Sequence, residues 1–119
     1  MTFPWLRALA AVAALAAPVP AEAHAILIRS DPAIGATVEA GKVAFTLRYN
    51  SRIDRTRSRL TLNRPDHTQS ILPIGSDGFD DSLTTTADLS RGDYVLRWQV
   101  LAVDGHITRG DVPFTVTGP

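Results

Sequence analysis

Three side chains that can bind a metal ion stand at two distant points of the sequence, His24 near the start and Asp104 and His106 near the end. If the chain is cut before His24, the imidazole Nδ1 and the new α-amine of this residue can chelate one metal ion. An α-amine has an unperturbed pKa near ~8, so a metal can displace its proton near neutral pH. Asp104 and His106 are two residues apart, a spacing that places both side chains on one face of a strand.

An amine, two imidazoles and a carboxylate form a nitrogen-rich, tetragonal donor set that is typical of Cu(II), or of Ni(II) at lower affinity. Zinc is the main competitor, but a closed zinc site usually recruits cysteines or more histidines. The chain has no cysteine and three histidines, and its single methionine is Met1. The sequence therefore predicts Cu(II) as the cofactor, with His24, Asp104 and His106 as metal ligands. An Asp-Gly pair is also common in plain turns, so an exported structural domain without metal is the alternative.

Residues 1–23 have the composition of a cleaved secretory signal peptide. Arg7 precedes an apolar run from Ala8 to Val19, and Ala21-Glu22-Ala23 supplies the small-residue pattern that signal peptidase reads. The run is shorter than the ~20 apolar residues that span a bilayer, and Pro18 interrupts it. Prolines and cleavage pattern thus disfavour an uncleaved anchor. Cleavage leaves 119 − 23 = 96 residues, predicted as one domain over 24–119.

Charge and cysteine content exclude several classes of function. The chain has 12 basic and 12 acidic residues, and the leader removes Arg7 and Glu22, so the mature net charge stays at zero. No basic field would recruit nucleic acid or anionic lipid. The absence of cysteine excludes thiolate metal sites, cysteine nucleophiles and redox dithiols, although an exported protein could use disulfides.

The metal-binding residues must be positioned by β-strands, because turn signals recur at short intervals after residue 23 and no capped helical pattern is present. Seven strands are predicted: Ala25–Arg29, Lys42–Tyr49, Arg59–Asn63, Gln69–Ile74, Leu83–Leu89, Tyr94–Val103 and Ile107–Val116. This pattern indicates an all-β, seven-stranded Greek-key β-sandwich or barrel of immunoglobulin-like or cupredoxin-like type. Even-numbered residues from Tyr94 to Ala102 are apolar, and we expect the same parity to continue into Asp104 and His106. Gly105 between them would permit a close backbone approach.

The remaining polar clusters receive structural interpretations. His67 lies in a Pro-Asp-His-Thr turn and is predicted to be solvated. Asp77, Asp80 and Asp81 surround Gly78, but their spacing fits no EF-hand loop. Trp98 and Phe114 occupy predicted core positions, and no aromatic stripe suggests stacking on nucleic acid or carbohydrate.

The whole mature segment resembles the CopC-type periplasmic copper-resistance proteins. The motifs that carry the resemblance are His24-Ala25, Ser30-Asp31-Pro32-Ala33, Gly35-Ala36, Phe45-Thr46-Leu47-Arg48-Tyr49, Tyr94 and Trp98, Val103-Asp104-Gly105-His106, Gly110 and Phe114-Thr115-Val116. The resemblance implies a Greek-key β-barrel or sandwich in the periplasm. It also implies Cu(II) ligation by the amine and imidazole of His24, by Asp104 and by His106. The expected partners are the copper ion and an inner-membrane copper transporter, and the mature protein is expected to be a monomer without a membrane span.

Two positions depart from the family pattern. Some members bind Cu(I) in a methionine-rich loop, which the mature chain lacks, and many have a glutamate shortly after the residue equivalent to Tyr49, where this chain has Asn50-Ser51-Arg52. The sequence predicts a copper carrier for resistance or homeostasis rather than an enzyme. The rival is a copper oxygenase, since lytic polysaccharide monooxygenases also begin with a copper-chelating histidine. A carboxylate ligand and the lack of excess exposed aromatics disfavour that rival.

Overall fold

The computed structural model describes residues 24–119, and the predicted signal peptide lies outside the described residues. These residues form eight strands: β1 Leu27–Asp31, β2 Ala36–Glu39, β3 Gly41–Tyr49, β4 Ile53–Asn63, β5 Gln69–Leu72, β6 Ser82–Leu89, β7 Gly92–Ala102 and β8 Ile107–Thr117. Within this part of the chain, no helix has the length and apolar character needed to cross a membrane.

The strands form two sheets, a three-stranded sheet in the order β1-β3-β6 and a five-stranded sheet in the order β2-β8-β7-β4-β5. All pairs are antiparallel except β2 with β8. The chain changes sheet five times, after β1, β2, β3, β5 and β6. The predicted all-β sandwich class is therefore confirmed, with eight strands instead of seven.

The core between the sheets comes from the alternating positions of the strands. In β3 the residues Val43, Phe45, Leu47 and Tyr49 are buried and the residues between them are exposed, as the period of two predicts. The ring of Tyr49 packs edge to face on Trp98 of β7 with 5.3 Å between ring centroids, and burial raises the pKa of the Tyr49 hydroxyl. Each fully buried large side chain stabilises the fold by about 1.5–3 kcal/mol.

Two strands differ from the prediction by more than two residues at either end, and the bounds of the others agree with it to within two residues. The unpredicted strand β2 pairs in parallel with Phe114–Thr117 of β8 at the edge of the sheet. Its residues alternate in burial, but four residues are too few for a recognisable strand pattern. Strand β4 begins at Ile53, six residues before the predicted start at Arg59. The sequence does not predict its first half, because that half is polar and a register shift between Asp54 and Arg59 interrupts the alternation that would indicate a strand.

The turn between β7 and β8 also differs from the prediction. The parity of β7 does not continue into Asp104 and His106, since β7 ends at Ala102. The N–H of Gly105 donates to the Ala102 carbonyl at 2.9 Å, and the Ala102 N–H donates to the His106 carbonyl at 2.9 Å. Gly105 has φ +89° with no atom within 4 Å of the position that a Cβ would take. The turn therefore needs glycine for its left-handed backbone and not for a close approach.

Candidate metal centre

The segment after His24 is fixed to the sandwich by one side chain of strand β8 and one side chain of the loop that follows β3. Ala25 is 1% exposed, and its carbonyl accepts a hydrogen bond from the Thr108 hydroxyl of β8 at 2.7 Å. The Ile26 N–H donates to Asn50 Oδ1 at 2.8 Å, and the Asn50 N–H donates back to the Ile26 carbonyl at 3.0 Å. We call Asn50 and Thr108 the N-terminal clamp. They place His24 next to the start of β8.

The second half of the site is a local turn. Asp104 Oδ1 accepts the backbone N–H of His106 at 3.0 Å, and Asp104 Oδ2 lies 2.8 Å from Nδ1 of the His106 ring. The first of these bonds is the main reason that the pKa of the Asp104 carboxyl lies below its usual range, and the bond to the imidazole adds to it. An aspartate that bonds to the backbone two residues later favours this turn, so Asp104 and His106 hold each other in place.

The two halves meet at one end of the sandwich. The rings of His24 and His106 lie edge to face with 4.4 Å between centroids. One ligand atom from each of His24, Asp104 and His106 lies within 4.8 Å of the other two. Among residues 24–119, this is the one group of at least three metal-binding side chains that converge. The side chain of His106 is 61% exposed and that of Asp104 is 22% exposed, so an ion would lie at the surface.

The other polar candidates lie outside this cluster. His67 is exposed, with φ +68°, in the turn between β4 and β5. Asp77 accepts a hydrogen bond from Thr84 at 3.1 Å, and Asp81 lies 3.5 Å from the Arg48 guanidinium. These contacts agree with the solvated or structural roles that the sequence predicts for these residues.

No pattern in the sequence indicates the N-terminal clamp. Asn50 lies in the stretch where many family members have a glutamate, and the family pattern indicates only that this chain lacks a carboxylate there. Its hydrogen bond to Ile26 spans 24 residues of sequence, and the bond from Thr108 to Ala25 spans 83. Local sequence patterns do not encode such contacts, which follow from the pairing of strands and the packing of the two sheets.

Together, the fold and this cluster define a small β-sandwich with a surface-exposed histidine and carboxylate site at one end. The CopC domain matches residues 27–117. Protein YobA of Escherichia coli K12 is 33% identical over 98 residues, a match that covers 79% of each chain. The chain therefore belongs to the CopC domain family, as the motifs in its sequence predict.

Solved structures support the same fold. CopC from Methylosinus trichosporium OB3b is 27% identical with a TM-score of 0.67, over 78% of this chain and 93% of that chain. PcoC, a methionine-rich copper resistance protein from Escherichia coli, is 22% identical with a TM-score of 0.66, over 80% of this chain and all of that one (100%). The fibronectin(III)-like modules of Clostridium thermocellum CbhA share the fold at 17% identity and a TM-score of 0.51, over 81% of this chain and 47% of that one.

Proposed function

We propose that the chain is a periplasmic Cu(II)-binding protein that starts at His24 after signal-peptide cleavage. The α-amine and imidazole of His24, the imidazole of His106 and the carboxylate of Asp104 would hold the ion. The observation that carries the proposal is the convergence of these three residues, whose ligand atoms lie within 4.8 Å of one another. Membership of the CopC domain family supports it, and the donor set is one that tetragonal Cu(II) prefers.

Asp104 can act in two alternative ways in this proposal, by orienting His106 or by coordinating the ion directly. Its contact with Nδ1 of His106 leaves Nε2 of the neutral ring to bind the metal, and a carboxylate that holds a histidine in this way orients the ring and raises its basicity. The two hydrogen bonds of Asp104 use two of the roughly four lone-pair positions of a carboxylate. Lone pairs thus remain for the ion, but a carboxylate held at Nδ1 lies across the ring from an ion at Nε2, so direct coordination by Asp104 would require the ion to replace this hydrogen bond. In either arrangement its negative charge offsets part of the metal charge.

Copper is the cargo of this site rather than a catalytic cofactor. The His106 side chain is mostly exposed, so an incoming donor can reach the ion. We infer that the protein sequesters Cu(II) or exchanges it with an inner-membrane copper transporter, in copper resistance or homeostasis. PcoC is methionine-rich, whereas the single methionine here is Met1. Without soft sulfur ligands the site would hold Cu(II) in preference to Cu(I).

The test is a Cu(II) competition titration of protein whose N-terminus at His24 has been verified by intact mass. We expect one tightly bound Cu(II) with nitrogen ligands visible by electron paramagnetic resonance. His24→Ala and His106→Ala should each weaken binding, and His67→Ala is the matched control because that histidine lies outside the cluster. If all three variants bind as the unchanged protein does, the proposed site is wrong. Copper-loaded protein should not oxidise polysaccharide with peroxide or a reductant.

A further inference from the structure

Three arginines from three neighbouring strands meet on the exposed face of the five-stranded sheet. Arg59 of β4 stands opposite Gln99 of β7, and Gln99 stands opposite Arg109 of β8. Arg97 lies in the next outward-facing position of β7. We call Arg59, Arg97 and Arg109 the arginine row. Together with Thr61, Gln69, Trp98 and Gln99 they line a surface depression of about 270 Å³.

Two of the three arginines in the row, Arg59 and Arg109, carry positive charge that no neighbouring carboxylate neutralises. Asp111 pairs with Arg97 at 3.0 Å, but no carboxylate lines the depression. Within residues 24–119, Arg59 and Arg109 form no ion pair. The Arg109 guanidinium donates to Gln99 Oε1 at 2.8 Å, which restrains the guanidinium within the depression. The surface therefore offers the restrained guanidinium of Arg109 beside that of Arg59, and guanidinium groups bind carboxylates in bidentate geometry.

The arginine row lies on the strands that lead to the metal site. Leu101 and Ile107 form the next outward-facing pair of β7 and β8 after Gln99 and Arg109. This pair lies ~7 Å further along the strands than Gln99 and Arg109. The turn that contains the candidate ligands follows directly. Val103 is 62% exposed and Ile107 is 49% exposed, so apolar side chains lie next to the turn. A partner held by the arginines would extend over these side chains and reach the exposed site.

We propose that the arginine row docks an acidic, Asp- and Glu-rich segment of the protein that exchanges copper with this site. The inference rests on the proposed function, because direct exchange requires the donors of both proteins to surround the ion. The charge of the row selects the acidic partner. Exposed ion pairs add little affinity, but complementary charge orients the partner and raises the association rate.

The test measures the rate of Cu(II) transfer from loaded protein to short acceptor peptides by stopped-flow absorbance. Each acceptor begins with the same Gly-Gly-His chelator and carries either an Asp/Glu tail or a Ser/Gln tail. At low ionic strength we expect the acidic acceptor to take copper about tenfold faster, the lower end of the range for electrostatic steering. The difference should vanish near ~1 M salt, where the Debye length is ~3 Å.

The double variant R59Q/R109Q should lose the preference for the acidic tail while its Cu(II) affinity stays unchanged. R91Q is the matched control, since Arg91 is exposed in the turn before β7 at the opposite end of that strand. The charge-reversed R59E/R109E should prefer an acceptor with a lysine tail. Failure of the unchanged protein to bind Cu(II) would overturn the proposed function. Normal binding with equal rates for both tails, or an equal loss in R91Q, would overturn the docking inference alone.

Discussion

The substitution Thr108→Val tests whether copper affinity depends on docking of the N-terminal segment. It keeps the shape of the side chain and removes the hydroxyl that donates to the Ala25 carbonyl at 2.7 Å. Leaving a buried acceptor unpaired costs about 1–3 kcal/mol, and Ala25 is buried. In the proposed site the ion needs His24 in its docked position, so this cost should appear as weaker binding. A loss of about 1–2 kcal/mol corresponds to a ~5–30-fold lower Cu(II) affinity.

The assay is a Cu(II) competition titration of protein that begins at His24. Thr115→Val is the matched control, because Thr115 lies on the same strand and its hydroxyl donates to Asp93 at 2.9 Å, at the end of β8 away from the site. Both variants should unfold at similar temperatures, and only Thr108→Val should weaken copper binding. Amide hydrogen exchange at Ile26 should become faster in Thr108→Val, since opening of the segment exposes this N–H.

Two results would refute this reasoning. Unchanged copper affinity in Thr108→Val would show that the hydroxyl does not hold the docked state. An equal loss in Thr115→Val would show that any lost hydroxyl on β8 has the same effect, so that the contact with Ala25 is not special.

Four other perturbations follow from the same geometry. Asn50→Leu should weaken Cu(II) binding several-fold by calorimetry, whereas Asn50→Asp keeps the acceptor oxygen and should bind nearly as well; equal loss in both would contradict the clamp. One extra residue before His24 converts its amine to an amide, and affinity should fall by more than the ~10–100-fold typical for loss of a supporting contact; equal affinity would refute the chelate. His106→Ala should change the number of nitrogen ligands seen by electron paramagnetic resonance, and Asp104→Asn should weaken Cu(II) binding less than His106→Ala does. Unchanged spectra for both variants would show that the segment from Asp104 to His106 is only a turn and does not bind the ion. Gly105→Ala should lower the free energy of unfolding by about 1–2 kcal/mol because of its left-handed backbone, and Gly105→Asn by less; equal melting temperatures would contradict the assigned turn.

The core of the fold could be predicted because its strands alternate strictly. Val43 to Tyr49 in β3 and Tyr94 to Ala102 in β7 show the period of two that a sheet with one buried face requires. Strand β2 could not be predicted, because four residues at a sheet edge carry too little pattern. The first half of β4 could not be predicted either, because a register shift interrupts its alternation.

The candidate ligands could be identified from residue type, but their arrangement could not. The sequence predicted Asp104 and His106 side by side through a continued strand, whereas a turn with a left-handed Gly105 brings them together. The arginine row could not be seen either, because the overall charge is balanced and strand register alone unites residues 59, 97 and 109. Composition and local spacing do not report contacts that sheet pairing creates.

The two halves of the candidate site are held by different means, and this difference determines what controls copper affinity. The turn half is local, since Asp104 and His106 bond to each other within the same turn. The N-terminal half depends on contacts with distant parts of the chain, the bonds from Thr108 and Asn50. We expect loss of one such contact to release His24 while the paired strands keep their hydrogen bonds. Changes in the N-terminal clamp should therefore alter copper affinity with little change in the stability of the sandwich, so affinity and fold stability can vary independently in this protein.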